Sequence, residues 1–252
     1  RDFDRLYEVL QKHRIEAVVH FAGLKAVGES CAMPIEYFDN NVAGTVTLLR
    51  AMKAVNIKKL IFSSSATVYG VPQYLPLDEN HPLSSTNPYG RTKLHIEEIL
   101  QDVAASDPEW SIVCLRYFNP IGAHASGLIG ENPRGIPNNL LPYVARVANG
   151  QLQAVQVFGS DYDTPDGTGV RDYIHVVDLA YGHVCAANYS ANNQGWIAIN
   201  LGTGIGYSVL DIIRAYEKAC GKPIAYQLVE RRPGDVAANW ADPKLAKELL
   251  AR

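Results

Sequence analysis

No apolar run in this chain approaches the ~20 residues that a membrane-spanning helix requires, so a helical membrane protein is excluded for this stretch. Cysteine is scarce: Cys31, Cys114, Cys185 and Cys220 stand far apart, with no Cys-x-x-Cys pair. That spacing argues against a disulfide framework or a cysteine-ligated metal, and for free thiols in a cytoplasmic protein. Positive charge is not in excess either. A net charge of -3 and a pI near 6.2 leave no basic field for nucleic acid or anionic membrane. Repeats and low-complexity tracts are absent, and so is a Gly-x-Gly-x-x-Gly turn. The chain opens on Arg1-Asp2-Phe3-Asp4 rather than methionine, and it is expected to be a piece of a longer polypeptide. The lack of a signal peptide therefore carries no information.

What is present is ordinary globular material: 252 residues, 47% hydrophobic and 19% charged, enough for one large α/β domain or two modest ones. Helical spacing of Phe3, Leu6, Tyr7, Val9 and Leu10 predicts a helix over 2–14. Ala17–Phe21 reads as a buried strand running into Gly23. A long helix is predicted from Pro34 to Val55, with Leu48, Leu49 and Met52 facing inward. Strand 59–64, a Pro- and Ser-rich loop over 71–87, a helix to about Ala105 and strand 111–117 follow. This alternation predicts a Rossmann-like, doubly wound parallel sheet with helices on both faces. Beyond Asn119 loops lengthen, and short strands near 155–158, 172–175, 197–201 and 225–229 mix with helices near 138–149, 177–190, 208–220 and 242–251. The expected division is 1–118 for the first domain and 119–252 for a smaller mixed α/β domain, with segments near 171–190 packing back on the first.

The chemistry concentrates in three residues. Tyr89 and Lys93 are four apart on a predicted helix and so share one face, and Ser65 ends a strand 24 residues earlier. Removing hydride from a carbinol carbon needs a base for the hydroxyl proton. Tyrosine titrates near ~10, and a neighbouring ammonium favours the phenolate and brings it closer to that task. The bare Tyr-x3-Lys pair is weak, since about 0.6 such pairs are expected here by chance. Its position after a strand that breaks into Ser63-Ser64-Ser65 strengthens it, because open α/β sheets bind ligands beyond the carboxyl ends of their strands.

Six phrases carry a resemblance to a known family: His20-Phe21-Ala22-Gly23-Leu24-Lys25-Ala26-Val27-Gly28-Glu29-Ser30, Ser63-Ser64-Ser65-Ala66-Thr67-Val68-Tyr69-Gly70, Asn87-Pro88-Tyr89-Gly90-Arg91-Thr92-Lys93, Arg116-Tyr117-Phe118-Asn119-Pro120, Gly169-Val170-Arg171-Asp172-Tyr173-Ile174-His175-Val176 and Arg231-Arg232-Pro233-Gly234-Asp235. In order and content they resemble the sugar-nucleotide branch of the extended short-chain dehydrogenase/reductase family. The resemblance implies an NAD-dependent, reversible epimerisation of UDP-glucose and UDP-galactose at C4 through a 4-keto sugar, with NAD as a bound prosthetic group. It implies that Tyr89 takes the 4-hydroxyl proton, that Lys93 binds the nicotinamide ribose and lowers the Tyr89 pKa, and that Ser65 holds the 4-oxygen. Phe21, Ala22, Gly23, Lys25, Asn40, Ser63 and Tyr117 match cofactor-side positions. Asn119, Asn139, Phe158, Arg171, Tyr173, Arg232, Asp235 and Asn239 match UDP-sugar positions, with the two arginines as diphosphate clamps. On their own, Phe21 and Tyr117 pass for core aromatics, Arg171 and Arg232 for surface arginines, and Asn119 and Asn139 for loop asparagines.

The family begins earlier than this chain, with the strand and glycine turn that seat the pyrophosphate. Without them the chain is expected not to retain NAD and to aggregate through an open sheet edge. Gly202-Thr203-Gly204-Ile205-Gly206 does not replace that turn; its spacing is wrong and no acidic residue follows at the ribose distance. At position 239 the family varies, and Asn in place of a bulky tyrosine points to tolerance of UDP-N-acetyl sugars. Helices 34–55 and 88–105 resemble those the family pairs into a homodimer, although their apolar stripes equally suit internal packing. A 4,6-dehydratase or decarboxylase of the same superfamily is the rival reading, disfavoured because Ser65-Ala66-Thr67 lacks the dehydratases' acidic pair. A non-catalytic NAD-sensing scaffold is the other, and it has no use for a Ser/Tyr/Lys set.

Overall fold

A computed structural model describes residues 1–232 and 234–250. Pro233 of the Arg231–Asp235 phrase lies outside the described residues. The first half runs α1 (Phe3–Lys12), β1 (Val18–His20), α2 (Val27–Ala32), α3 (Pro34–Tyr37), α4 (Gly44–Ala54), β2 (Lys59–Ser65), α5 (Pro88–Ser106) and β3 (Ser111–Tyr117). The second half runs β4 (Asn119–Ile121), α6 (Leu140–Ala148), β5 (Val155–Phe158), β6 (Val170–His175), α7 (Val176–Asn192), β7 (Gly195–Leu201), β8 (Gly206–Ser208), α8 (Val209–Cys220), β9 (Tyr226–Val229), β10 (Ala238–Asn239) and α9 (Lys244–Leu250).

The main sheet is parallel in the order β1-β2-β3-β7. Its strands are near-continuous apolar runs because both faces are covered. On one face Leu60, Phe62, Ile112 and Cys114 pack against Leu48, Met52, Ile96 and Leu100 of α4 and α5. On the other, Ile61, Val113, Leu115 and Ile199 meet Leu179 and Ala186 of α7 and Leu250 of α9. The predicted doubly wound layout is therefore borne out. The chain crosses the expected boundary near 118 and then returns, since β7 pairs with β3 from Ser111↔Gly195 to Tyr117↔Leu201. A second sheet, β10-β6-β4 with β8 antiparallel on β6, and the pair β5-β9 form the remaining layers.

The single helix predicted over 34–55 has a defect in its middle. Between α3 and α4, Phe38–Ala43 is a π-helical segment, the kind of local widening that often marks a functional region. It turns Asn41 inward, where the side chain is buried. The start of α5 follows simple rules: Pro88 occupies the first turn and the Asn87 side chain accepts from Gly90 N at 2.9 Å.

Candidate active site

Ser63-Ser64-Ser65 ends β2, and α5 lays Tyr89 and Lys93 over that end. The Lys93 ammonium is 4% exposed and donates to the Ser63 carbonyl at 2.7 Å. It lies 4.8 Å from the Phe62 ring centroid and 6.0 Å from that of Tyr89. Ser65 caps the short turn that follows it, its Oγ accepting from Thr67 N at 3.2 Å and Thr67 Oγ1 at 3.0 Å. The Ser65 side chain also neighbours the Tyr89 phenol and favours its ionised form. The structure thus brings together all three residues singled out for the chemistry.

Burial raises the Tyr89 pKa, and the neighbouring Ser65 side chain opposes that rise. Burial also pulls Lys93 down to about 8, which leaves its ammonium mainly protonated near neutral pH.

Beside these residues, the turn after β1 is open. Phe21, Ala22, Gly23, Leu24 and Lys25 are all exposed. A Cβ on Gly23 would sit 3.7 Å from Lys93 Nζ and 3.4 Å from Asn41 Oδ1, so this turn runs directly beside the ammonium. Asn41 holds this turn in place: its Oδ1 accepts from Leu24 N at 2.8 Å, and its amide donates to Leu24 O at 2.9 Å and Thr92 Oγ1 at 3.0 Å. Asn40, the residue singled out from sequence, donates to Asn41 at 3.0 Å. Ser30 of α2 accepts from the Tyr89 backbone N–H at 3.1 Å and fixes the entry of α5. On the opposite side Tyr117 bonds His183, whose ring lies 4.9 Å from that of Phe21. Burial raises the pKa of the Tyr117 phenol, and the neighbouring Ser63 side chain opposes that rise. Asn41, Ser30 and His183 were not visible from sequence. Nothing in their spacing distinguishes them from ordinary polar helix residues.

The second cluster gathers around β6. Arg171 is in register with Asn239 of β10, and Tyr173 with Asn119 of β4. The Arg171 guanidinium donates to Val170 O at 2.8 Å, and burial lowers its pKa against the pull of the Asp235 carboxylate. Burial likewise raises Tyr173 to about 12. Arg232 pairs with Asp235 at 3.0 Å and lies 5.3 Å from the Phe158 ring centroid. Asn239 Oδ1 is buried without a hydrogen-bond partner in the protein, which a polar group tolerates only at a cost of roughly 1–3 kcal/mol. Asn139 is engaged elsewhere: its amide donates to Glu131 at 2.7 Å.

The Gly202-Thr203-Gly204 turn is a carboxylate cradle. Asp172 accepts from Thr203 N at 2.8 Å, Thr203 Oγ1 at 2.7 Å, Gly204 N at 2.9 Å and Ala241 N at 3.1 Å. A Cβ on Gly202 would lie 2.7 Å from Asp172 Oδ2. These backbone donors are committed to the protein's own acid, so the turn is not a phosphate loop. Among the described residues, no group of three His, Cys, Asp or Glu side chains stands close enough to hold a metal ion. No helix among them is long and apolar enough to cross a membrane.

A buried lysine and a tyrosine at the carboxyl edge of a doubly wound sheet, with Arg171 and Arg232 in a second cluster, suit a dinucleotide-dependent enzyme acting on an anionic substrate. Residues 1–202 match the model of the NAD dependent epimerase/dehydratase family, and the chain belongs to that family. It is 58% identical over 249 residues to the UDP-glucose 4-epimerase of Bacillus subtilis (strain 168), an alignment spanning 99% of this chain and 74% of that protein. The human UDP-glucose 4-epimerase is 59% identical over 250 residues, covering 99% of this chain and 72% of its own length. The crystal structure of the Bifidobacterium longum UDP-glucose 4-epimerase, in complex with NAD+ and UDP, superposes with a TM-score of 0.96 at 60% identity. That match covers 99% of this chain and 75% of the other.

Proposed function

We propose that this protein interconverts UDP-glucose and UDP-galactose at C4, with Tyr89, Lys93 and Ser65 as the reacting set. The observation that carries this reading is the convergence of the three on the end of β2, next to the exposed turn through Gly23. That turn also supports NAD as the cofactor. Phe21, Ala22, Gly23 and Lys25 offer exposed backbone and ring surface to a dinucleotide beside the ammonium. Bound NAD supplies a positively charged, reversible hydride acceptor for the sugar C4.

The protein's own residues handle the proton and the orientation. Tyr89 exchanges a proton with the 4-oxygen, and Ser65 holds that oxygen and the phenol in one hydrogen-bonded line. Lys93 donates one bond to Ser63 O and retains further N–H donors for the cofactor's ribose hydroxyls. Asn40, Ser63 and Tyr117 complete the cofactor side. On the sugar side, Arg171 and Arg232 bind the diphosphate, Arg232 exchanging its bond to Asp235 for phosphate oxygens. Phe158, Asn119, Asn139, Tyr173 and Asp235 line the nucleotide. Residues 1–118, completed by the returning α7 and β7, serve the cofactor, and the remainder of 119–252 serves the UDP-sugar.

Asn239 extends the range of substrates. Its unpartnered, buried Oδ1 supports a donor on the ligand as its partner, and asparagine leaves more room than tyrosine, so UDP-N-acetylglucosamine is accepted beside UDP-glucose. A homodimer through α3, α4 and α5 is supported by exposed apolar residues on that face, Ile35 and Val46, and by an apolar groove between Ile35, Phe38 and Val42. Free cysteines, with Cys114 and Cys185 buried, support a reducing, cytoplasmic setting. The test is a coupled assay of UDP-galactose and UDP-N-acetylgalactosamine with sugar NMR of the products. Appearance of the C4 epimers supports the reading, whereas a deoxy-keto product or no turnover overturns it.

A further inference from the structure

Beneath the reacting residues lies a buried ionic cluster that the proposed chemistry does not touch. Glu97 follows Lys93 by one helical turn on the same face of α5. Both Glu97 and Arg116 are almost fully buried. Arg116 Nε donates to Glu97 Oε1 at 3.1 Å and its NH2 to Oε2 at 2.7 Å. Ser64 Oγ donates to the same carboxylate. Arg116 is in register with Ser64 on one side and Asn200 on the other. Its NH1 donates to Tyr69 OH at 3.0 Å, and Tyr69 donates to Asn200 Oδ1 at 2.7 Å. Three neighbouring strands of the main sheet, β2, β3 and β7, are thus tied to one acid on α5.

The geometry has a direct link to the site. Consecutive residues of β2 meet successive turns of one α5 face: Ser63 accepts from the Lys93 ammonium, Ser64 donates to the Glu97 carboxylate, and Ser65 neighbours the Tyr89 phenol. A buried ion pair is a weak source of stability, since apolar residues of equal volume commonly do as well or better. Placement and charge are what it adds here. We propose that Glu97 is a positioning residue for Lys93: clamped by Arg116 and Ser64, it fixes the rotation of α5 and holds a carboxylate one turn beyond the ammonium. This inference rests on the reading that Tyr89 and Lys93 carry the reaction.

The charged and titratable groups facing Lys93 are His20 on β1, Cys114 and, through Glu97, Arg116 on β3, and Tyr89 and Glu97 on α5. The groups it meets on β2 and in the β1 turn (Phe62, the Ser63 carbonyl and Gly23) are uncharged. Glu97 is the main group that opposes the loss of the Lys93 proton caused by burial.

The test is the pH dependence of kcat and KM for UDP-galactose in the full-length enzyme with its NAD. Glu97→Gln is expected to move the alkaline limb of kcat down by about one pH unit, with KM unchanged because Glu97 does not face the crevice. Ser64→Ala, which keeps the charge, is expected to leave the limb in place. An unmoved limb in folded Glu97→Gln overturns the proposal. If that variant does not fold around the stranded guanidinium, Glu97→Gln combined with Arg116→Met removes both charges. A smaller downward move is expected there, because the Arg116 charge that opposes the ammonium goes as well, and its absence is equally decisive. Lys93→Met is measured alongside. Survival of turnover in it overturns the underlying reading, whereas an inactive Lys93→Met with an unmoved Glu97→Gln limb overturns only this inference.

Discussion

Replacing Asp172 with alanine removes the acceptor of a whole set of hydrogen bonds. The carboxylate has four donors around it, Thr203 N, Thr203 Oγ1, Gly204 N and Ala241 N, at 2.7–3.1 Å. Alanine leaves the backbone N–H groups of Thr203, Gly204 and Ala241 without that acceptor. Ala241 is fully buried, so water cannot compensate there. At roughly 1–3 kcal/mol for each stranded donor, Asp172→Ala is expected to cost about 3 kcal/mol or more. A loss of that size is a large fraction of a typical domain's stability. The consequence reaches the site, because Ala241 follows Asn239 and Trp240 on the segment that β10 holds in register with Arg171. KM for the UDP-sugar should therefore rise while kcat changes less. Urea unfolding followed by tryptophan fluorescence, on wild type and variant at one pH, measures the first effect. A difference below about 0.5 kcal/mol at unchanged m-value would show that the cradle reasoning is wrong.

Three further outcomes follow from the same structure. Burial holds the folded-state pKa of His20 near 4, below the usual 6.5. The unfolded chain therefore binds the proton first as pH falls, and stability drops by about 1.5 kcal/mol between pH 6.5 and 5 from this group alone; urea midpoints at the two pH values should show the drop, and His20→Gln should flatten it. Asn239→Tyr should depress turnover of UDP-N-acetylgalactosamine at least tenfold more than that of UDP-galactose, and equal losses in a side-by-side assay would remove Asn239 from the specificity argument. Ile35→Asp on the exposed α3 face should shift the protein toward monomer in sedimentation velocity, and an unchanged sedimentation coefficient would count against dimerisation through that face.

Much of this was legible in the sequence because it depended on local patterns. The apolar runs at 59–64 and 111–117 and the hydroxyl break at Ser63-Ser64-Ser65 correspond to β2, β3 and the carboxyl end of the sheet. The Tyr89–Lys93 spacing likewise places both on one face of α5. What escaped depends on long-range contacts. The π segment at 38–43 breaks no periodicity rule, yet it turns Asn41 rather than Asn40 toward Thr92, which is 51 residues further along the chain. The return of β7 to pair with β3 needs knowledge of sheet order that a texture change at Asn119 does not carry. The tiny strands β4, β8 and β10 owe their form to β6 rather than to their own propensity. Burial at Tyr89 was likewise hidden, because a neighbouring ammonium is visible as a spacing whereas desolvation is not.

Replacing Tyr89 with phenylalanine in the NAD-loaded, full-length enzyme is the most direct measurement. It deletes one oxygen at the end of β2 and leaves the ring in place. Turnover of UDP-galactose should fall by about 10²–10⁴, the usual contribution of a positioned acid–base group, while calorimetric affinity for UDP stays within a few-fold of wild type. Turnover within tenfold of wild type would contradict the assignment of the proton transfer to this phenol.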